Sequence, residues 1–301
     1  MANIKVVMGR LTEIAAMSHH ANEDQLLEAI ETGDLERVRR LASSGVGLNV
    51  VLLSKTRRES TTVLGTAAYE GQTDILLLLV DELSVPVNVQ DPLQQRNALH
   101  WACMGGHVSA VRALVDRKAD VNCADRDNVT PIIRAAITGR RDIVSVLVDH
   151  GADVRRLDRL RSSALHYATF YGKADVVALL VRAGCVTNNA TVFGQGTPLA
   201  NLVYHGDVDN VRLLLAAGYD LCCDGWVLQY NFCHEAMVND AAVDDVGAYI
   251  LYRYRNPPAL SHLCRRVIRN QMYGVCVERK IFSLPLPLKL NKYLALEQLD
   301  E

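Results

Sequence analysis

An all-α fold is predicted, a solenoid of about six to seven helix-turn-helix repeats followed by a small helical C-terminal module. Three observations predict it. Glycines recur at Gly33, Gly71, Gly106, Gly139, Gly172 and Gly206, spaced 38, 35, 33, 33 and 34 residues apart, and a fixed period of that size marks stacked supersecondary units. Apolar residues at helical spacing follow each of these glycines from Gly71 on. After the repeats, Asn256-Pro257-Pro258 stops any helix, and a new apolar stripe begins at Leu260.

The first repeat, residues 23–50, keeps Gly33 and Gly45-Val46-Gly47-Leu48-Asn49 but carries a charged helix, Glu36-Arg37-Val38-Arg39-Arg40. A terminal repeat must be polar on its outer side, so this unit reads as the N-terminal cap. The longer spacing before Gly71 places an insertion, an enlarged loop, at Ser54-Lys55-Thr56-Arg57-Arg58-Glu59. Later repeats open on Thr62-Val63-Leu64-Gly65, Asn97-Ala98-Leu99-His100, Thr130-Pro131-Ile132-Ile133, Ser163-Ala164-Leu165-His166 and Thr197-Pro198-Leu199-Ala200. Thr or Ser caps a helix, Pro is pre-set for its first turn, and Leu drops into the core.

A second amphipathic helix follows in each repeat. It is carried by Ile75/Leu78/Leu79, Val111/Leu114/Val115, Ile143/Leu147/Val148, Val176/Leu180/Val181 and Val211/Leu214/Leu215. Glycine-type turns close these helices, with Gly151-Ala152-Asp153-Val154 as the fullest form and Lys118-Ala119-Asp120-Val121-Asn122 and Gly218-Tyr219-Asp220-Leu221 as variants. Beyond Leu221 the pattern fades into residues 222–256, a degenerate repeat or a bridging helix pair. The boundaries expected are therefore 1–22 for an N-terminal extension, 23–221 for repeats, 222–256 for the bridge and 257–301 for the terminal module.

Composition excludes several classes. Half the residues are hydrophobic and 22% are charged, as in a soluble globular protein, and a formal charge of -2 gives no global attraction to nucleic acid or membrane. The N-terminal residues break off too soon for a secretory signal, and no apolar run reaches membrane-spanning length. Eight cysteines lie scattered without a disulfide framework. Together these predict an intracellular protein, cytoplasmic with the nucleus open to it.

In the terminal module Leu260, Cys264, Val267 and Ile268 form one stripe, while Arg265, Arg266 and Arg269 keep the other face wet. Such a helix either caps the last repeat or enters a partner's groove. Farther on come Ile281, Leu284-Pro285-Leu286-Pro287, Leu290, Tyr293 and Leu294. The prolines force an extended segment whose two leucines make a low-entropy contact.

Entries close to Thr-Pro-Leu-His at a period near 33 resemble ankyrin repeats. Followed by this terminal segment, they resemble the ankyrin repeat and SOCS box family. The resemblance implies an ankyrin-repeat solenoid with β-turn fingers, followed by a three-helix SOCS box. It also implies that Leu260, Cys264 and Ile268 bind Elongin C, and that Ile281, Leu284, Pro285, Leu286, Pro287, Leu290, Tyr293 and Leu294 bind Cullin-5. The family usually has Thr, Ser or Pro before the leucine; this chain has Ala259 there, preceded by Pro258. The implied protein is a non-catalytic adaptor. It joins Elongin C, its companion Elongin B, and Cullin-5 with its RING protein, and holds a substrate protein near a charged ubiquitin-conjugating enzyme. The alternative is an ankyrin scaffold or inhibitor that sequesters a partner without recruiting Elongins; such a protein has no need of the terminal box.

In the family, the residues just before each anchor glycine face the concave side. One row is Tyr69, Met104, Ile137, Phe170 and Tyr204, with Tyr171 beside Phe170. This row is apolar for an exposed surface. Loop tips carry Arg57, Arg58, Arg96, Arg126, Arg159 and Arg161. A partner segment with acidic and apolar residues suits this set, with Arg126 and Arg159 among the anchors. Packing between repeats for the row, and plain solvation for the arginines, are the competing readings.

No cofactor or metal is expected. Cys222-Cys223 and Cys233-His234 lack paired zinc spacings, and Gly45-Val46-Gly47 lacks the third glycine of a nucleotide loop. His100 and His166 are expected to bond within their turns, and Trp101 and Trp226 to pack.

Overall fold

The computed structural model describes residues 22–48, 51–53, 60–186 and 196–219. The chain divides into two compact units between Arg126 and Asp127.

In the first unit, α1 runs through residues 22–32 and α2 spans Leu35–Ser43. Asp34 caps α2 by accepting the Arg37 N–H at 2.9 Å. Of the residues in α2 only Val38 is buried, as a terminal cap requires. The pairs Arg37–Glu28 and Arg39–Glu82, each at 2.9 Å, are solvent-exposed. Exposed pairs contribute about 0–1 kcal/mol, so Leu26, Ile30 and Val38, all fully buried, hold this end of the repeats.

An antiparallel hairpin follows where an enlarged loop is expected. Strand β1, Val51–Leu53, pairs with β2, Ser60–Thr62, with Leu52 opposite Thr61. Residues 54–59 lie outside the described residues. Three-residue strands are too short to show period-2 alternation in the sequence, which is why the ladder is not legible there.

Thr62 ends β2 and starts α3, Val63–Glu70, by accepting the Gly65 N–H at 3.0 Å. Next come α4, Thr73–Leu77, which widens into a π-helical turn over Leu78–Glu82, then α5, Ala98–Gly105, and α6, Val108–Asp116. Helix α3 packs on α5 along its length. The approach is so close that a β-carbon at Gly105 would collide with the Tyr69 carbonyl oxygen. Residues Leu64, Leu99, Ile75, Leu79, Val111 and Leu114 fill the core between the helices.

The second unit repeats the plan with α7 (Pro131–Thr138), α8 (Arg141–Asp149), α9 (Ala164–Phe170), α10 (Ala174–Arg182), α11 (Pro198–Tyr204) and α12 (Val208–Ala216). Helix α9 packs on α7, α10 and α11, and α12 on α10 and α11. Every apolar residue named above for the second helices of the repeats is buried, as are Ile132, Leu165 and Leu199 at the helix entries. The helix stops also follow the sequence: α3, α5 and α7 end on Gly71, Gly106 and Gly139 with φ of 72°, 78° and 72°, a left-handed geometry that favours glycine. Among the described residues the fold is thus all-α apart from the β1–β2 hairpin.

Buried carboxylates organise the turns between repeats. Asp91 accepts N–H bonds from Leu93, Gln94 and Arg96 at 3.2, 2.6 and 3.1 Å. Asp158 accepts from Leu160 and Ser162 at 2.9 and 2.8 Å, and from the Tyr167 hydroxyl at 2.6 Å. A turn that returns its own backbone N–H groups to one carboxylate needs no further partner when it is buried. At the helix entries His100 and His166 are fully buried, and each places Nδ1 toward the backbone N–H of its capping residue, Asn97 at 3.3 Å and Ser163 at 3.1 Å. They are turn-bonding histidines, as expected.

Candidate partner-binding surface

The row of residues before the anchor glycines divides between the two units. In the first, Tyr69 is half-buried and its ring meets Trp101 edge-on, centroids 6.1 Å apart at 76°. Trp101 is fully buried, so Tyr69 is bound into packing along one side. Met104, at the corresponding place on α5, is also half-buried.

Arg96 departs from expectation. It is not a solvated tip residue: it is 8% exposed, with its guanidinium carbon 5.2 Å from the Trp101 ring centre and its Nε 3.6 Å from Asp125. An indole face and a buried carboxylate together accommodate a guanidinium that would otherwise stay in water. The sequence separates Arg96 from Asp125 by 29 positions, too far for local reading to find the pair.

In the second unit the same row reaches solvent. Ile137 on α7 is half-buried, whereas Phe170, Tyr171 and Tyr204 are 42%, 47% and 85% exposed. Phe170 meets Tyr171 edge-on at 5.2 Å, and Tyr204 meets His205 edge-on at 5.3 Å. His205 Nε2 lies 3.2 Å from the Phe170 carbonyl oxygen, the geometry of a donated hydrogen bond in the Nε2–H tautomer. That bond joins the two aromatic pairs into one patch across the ends of α9 and α11. Beside it opens a cavity of about 380 Å³ whose walls include Thr169, Val177, Leu202, His205 and Asp207. The linking role of His205 is a second feature that sequence reading missed. Its only signal is a polar ring between an aromatic residue and Gly206.

Of the arginines, Arg126 is exposed and ends the first unit, its N–H donated to the Gln94 carbonyl at 2.8 Å. Arg159 is exposed in the second unit; its N–H bonds the Asp127 carbonyl at 3.0 Å and its guanidinium lies 3.7 Å from the Asp127 carboxylate. Arg161 is exposed with φ of 61°. Arg57 and Arg58 lie outside the described residues, as do all the box positions from Leu260, Cys264 and Ile268 through Ile281, Leu284, Pro285, Leu286, Pro287, Leu290, Tyr293 and Leu294.

Two buried thiols and one phenol among the described residues are held in their neutral forms. Burial pushes the Cys103 thiol far up, and it raises Cys185 to about 11. Burial first, and then its bond to Asp158, holds the Tyr167 phenol above the usual range. A thiol or phenol so shifted stays neutral at physiological pH, and the thiolate is the reactive form of cysteine. Among the described residues no group of three or more His, Cys, Asp or Glu is placed to hold a metal, and no helix is long and apolar enough to cross a membrane.

Comparison with known families adds what lies beyond the described residues. A three-copy ankyrin repeat model matches residues 64–158, a single ankyrin repeat model matches residues 161–191, and a SOCS box model matches residues 256–295. The chain belongs to the ankyrin repeat and SOCS box family. The SOCS box match spans Leu260 to Leu294, every position that the resemblance assigns to ligase subunits. Similar proteins include an ankyrin repeat protein of Rickettsia bellii (strain RML369-C), 28% identical over 119 residues, covering 39% of this chain and 62% of that protein. They also include alpha-latrocrustotoxin-Lt1a of Latrodectus tredecimguttatus, 36% identical over 66 residues, 22% of this chain and 5% of the toxin. The chain spans less than two thirds of the length of these relatives.

Proposed function

We propose that this chain is a substrate receptor of a Cullin-RING ubiquitin ligase, and specifically the recognition subunit of an Elongin B/Elongin C/Cullin-5 assembly. The observation that carries the reading is the conjunction, in one chain, of ankyrin repeats with a SOCS box at residues 256–295. Both are adaptor-type modules. In this reading Leu260, Cys264 and Ile268 dock on Elongin C, and Ile281, Leu284 to Pro287, Leu290, Tyr293 and Leu294 meet Cullin-5. We keep residues 257–301 as the box and residues 222–256 as the bridge. The chain itself does no chemistry; it contributes by holding a substrate close to a charged conjugating enzyme.

We assign substrate contacts in each unit by itself: Phe170, Tyr171 and Tyr204 with Arg159 in the second unit, and the exposed edges of Tyr69 and Met104 with Arg126 in the first. Ile137 contributes its accessible part. Exposed aromatic side chains next to cations favour a partner segment that is both apolar and acidic.

The deciding experiment measures affinity of the purified chain for the Elongin B and Elongin C pair, wild type beside Leu260→Asp. Tight binding that the substitution abolishes supports the receptor. A folded wild-type chain that does not bind returns the protein to the scaffold or inhibitor class, with the box serving as a cap. For the substrate surface, Phe170→Ala with Tyr171→Ala should reduce substrate capture at unchanged folding; capture at the wild-type level would remove the patch from the assignment.

A further inference from the structure

We propose that Lys118 is the self-ubiquitination site of the repeats, and that arginine is used over the rest of their exposed cationic surface because it cannot accept ubiquitin. The inference rests on the ligase reading above and concerns how the receptor survives its own reaction.

The starting observation is a skewed choice of cations. Of 32 Lys and Arg residues only seven are lysine, namely Lys5, Lys55, Lys118, Lys173, Lys280, Lys289 and Lys292. Across residues 60–219 thirteen arginines stand beside two lysines. Lysine is ordinarily among the commonest residues of a globular protein, so this ratio needs a cause. Arginine is favoured where its planar fork is used in paired or stacked contacts, as at Arg96 and Arg117. That cause does not extend to Arg112, Arg140, Arg141 and Arg156. All four are exposed, and among the described residues their guanidinium groups make no hydrogen bond or ion pair. A lysine would keep each of them solvated and charged equally well.

The two cations differ in one reaction that a ligase receptor meets constantly. The lone pair of a deprotonated lysine Nζ attacks the carbonyl carbon of the thioester that joins ubiquitin to the cysteine of a conjugating enzyme. A C–N amide bond forms and the C–S bond breaks. The cysteine leaves as thiolate and takes up the proton that the amine gives away, so nothing is oxidised or reduced. A guanidinium stays protonated at any physiological pH and offers no such lone pair. A receptor held beside that thioester is itself within reach, and arginine makes its surface inert.

Within the repeats one lysine breaks the rule. Lys118 is exposed at the turn after α6, with φ of 65°. Gly151, Gly184 and Gly218 stand at the equivalent turns with φ of 85°, 92° and 97°. A side chain in this left-handed geometry costs on the order of 1–2 kcal/mol; Ser84, with φ of 55°, bears it at the equivalent turn of the preceding repeat, as Lys118 does here. What sets Lys118 apart is that, of the two lysines between residues 60 and 219, it alone is exposed. Its ammonium has no partner among the described residues. Lys173 is half-buried, with its aliphatic stem laid against Gly139. Lys280, Lys289 and Lys292 fall inside the SOCS box match, the stretch read as covered by ligase subunits, while Lys5 and Lys55 lie outside the described residues.

The test reconstitutes the full chain with Elongin B, Elongin C, Cullin-5 and its RING protein, adds ubiquitin with its activating and conjugating enzymes, and maps isopeptide remnants by mass spectrometry. Discharge of the thioester onto free lysine in solution reports ligase assembly independently. We expect Lys118 to carry the dominant remnant between residues 60 and 219, and Lys118→Arg to remove it. Replacing Arg112, Arg140, Arg141 and Arg156 together by Lys should raise self-modification several-fold with thermal melting unchanged. Normal discharge with Lys118 unmodified, or with the four-lysine chain modified no more than wild type, overturns this inference and leaves the receptor standing. Absent Elongin binding together with absent discharge removes the receptor reading, and this inference with it.

Discussion

Trp101 in the first unit and Tyr167 in the second occupy the same place in their repeats, directly after the turn-bonding histidine. They treat their surroundings differently. Trp101 is fully buried, carries Arg96 over its ring and takes the edge of Tyr69. Tyr167 is a smaller ring tied by its hydroxyl to the buried Asp158. An aromatic residue before an anchor glycine therefore presents only an edge where the neighbouring inner helix has claimed its other side. Tyr69 is claimed; Phe170 and Tyr204 are not.

The comparison breaks most visibly at Trp101. Trp101→Ala should cost about 3–5 kcal/mol, the range for emptying a buried aromatic site, read as a fall in the urea midpoint. A loss near zero would mean that Tyr69 and Arg96 hold the site without the indole. Next comes Tyr167→Phe, which removes one of three donors from Asp158 and should lower stability by about 1–2 kcal/mol. If it is neutral, the turn stands on its backbone donors alone. Tyr204→Ala belongs at the other extreme of structural cost, within about 0.5 kcal/mol, as expected for an 85% exposed side chain. A large loss of stability there would show that Tyr204 packs, and would take it off the proposed surface.

The smallest expected effect tests an ion pair confined to the first unit. Arg117 grips Asp81 through Nε at 2.7 Å and through a second nitrogen at 2.5 Å, and that hydrogen bonding lowers the carboxyl pKa. A carboxylate with a lowered folded-state pKa adds stability above its unfolded value and loses it as pH falls through the folded value. The difference in melting temperature between wild type and Asp81→Asn should therefore shrink on acidification, and strong salt should shrink it at neutral pH. A difference that persists in acid would point to a contribution other than charge.

Much of the fold was legible because glycine period, entry motif and apolar spacing are local signals. From Gly71 to Leu215 each predicted second helix is present with its apolar face inward. The unread parts are those whose cause is distant or brief. The β1–β2 ladder is three residues long on each strand, and Arg96 is buried by partners that only the fold brings near. The buried carboxylates Asp91, Asp125 and Asp158 do recur at the repeat period, 34 and 33 residues apart, so a search for periodic polar residues would have found them. On the candidate surface, the sequence named the aromatic residues but not which of them the core would take. That depends on what the next inner helix offers: Trp101 stands beside Tyr69, whereas Asn201 holds the corresponding place after Phe170.

At Gly105 the helix backbones leave no room for a methyl group beside the Tyr69 carbonyl. In heredity, that makes its codon a place of costly variation. Any missense allele there adds atoms against main chain that cannot yield, and so strikes at the α3–α5 pair itself. An allele at the Tyr204 codon, on an exposed side chain of the proposed surface, is expected to leave the fold in place. The two positions would differ in kind, one governing whether the helices can pack and the other what the proposed surface presents.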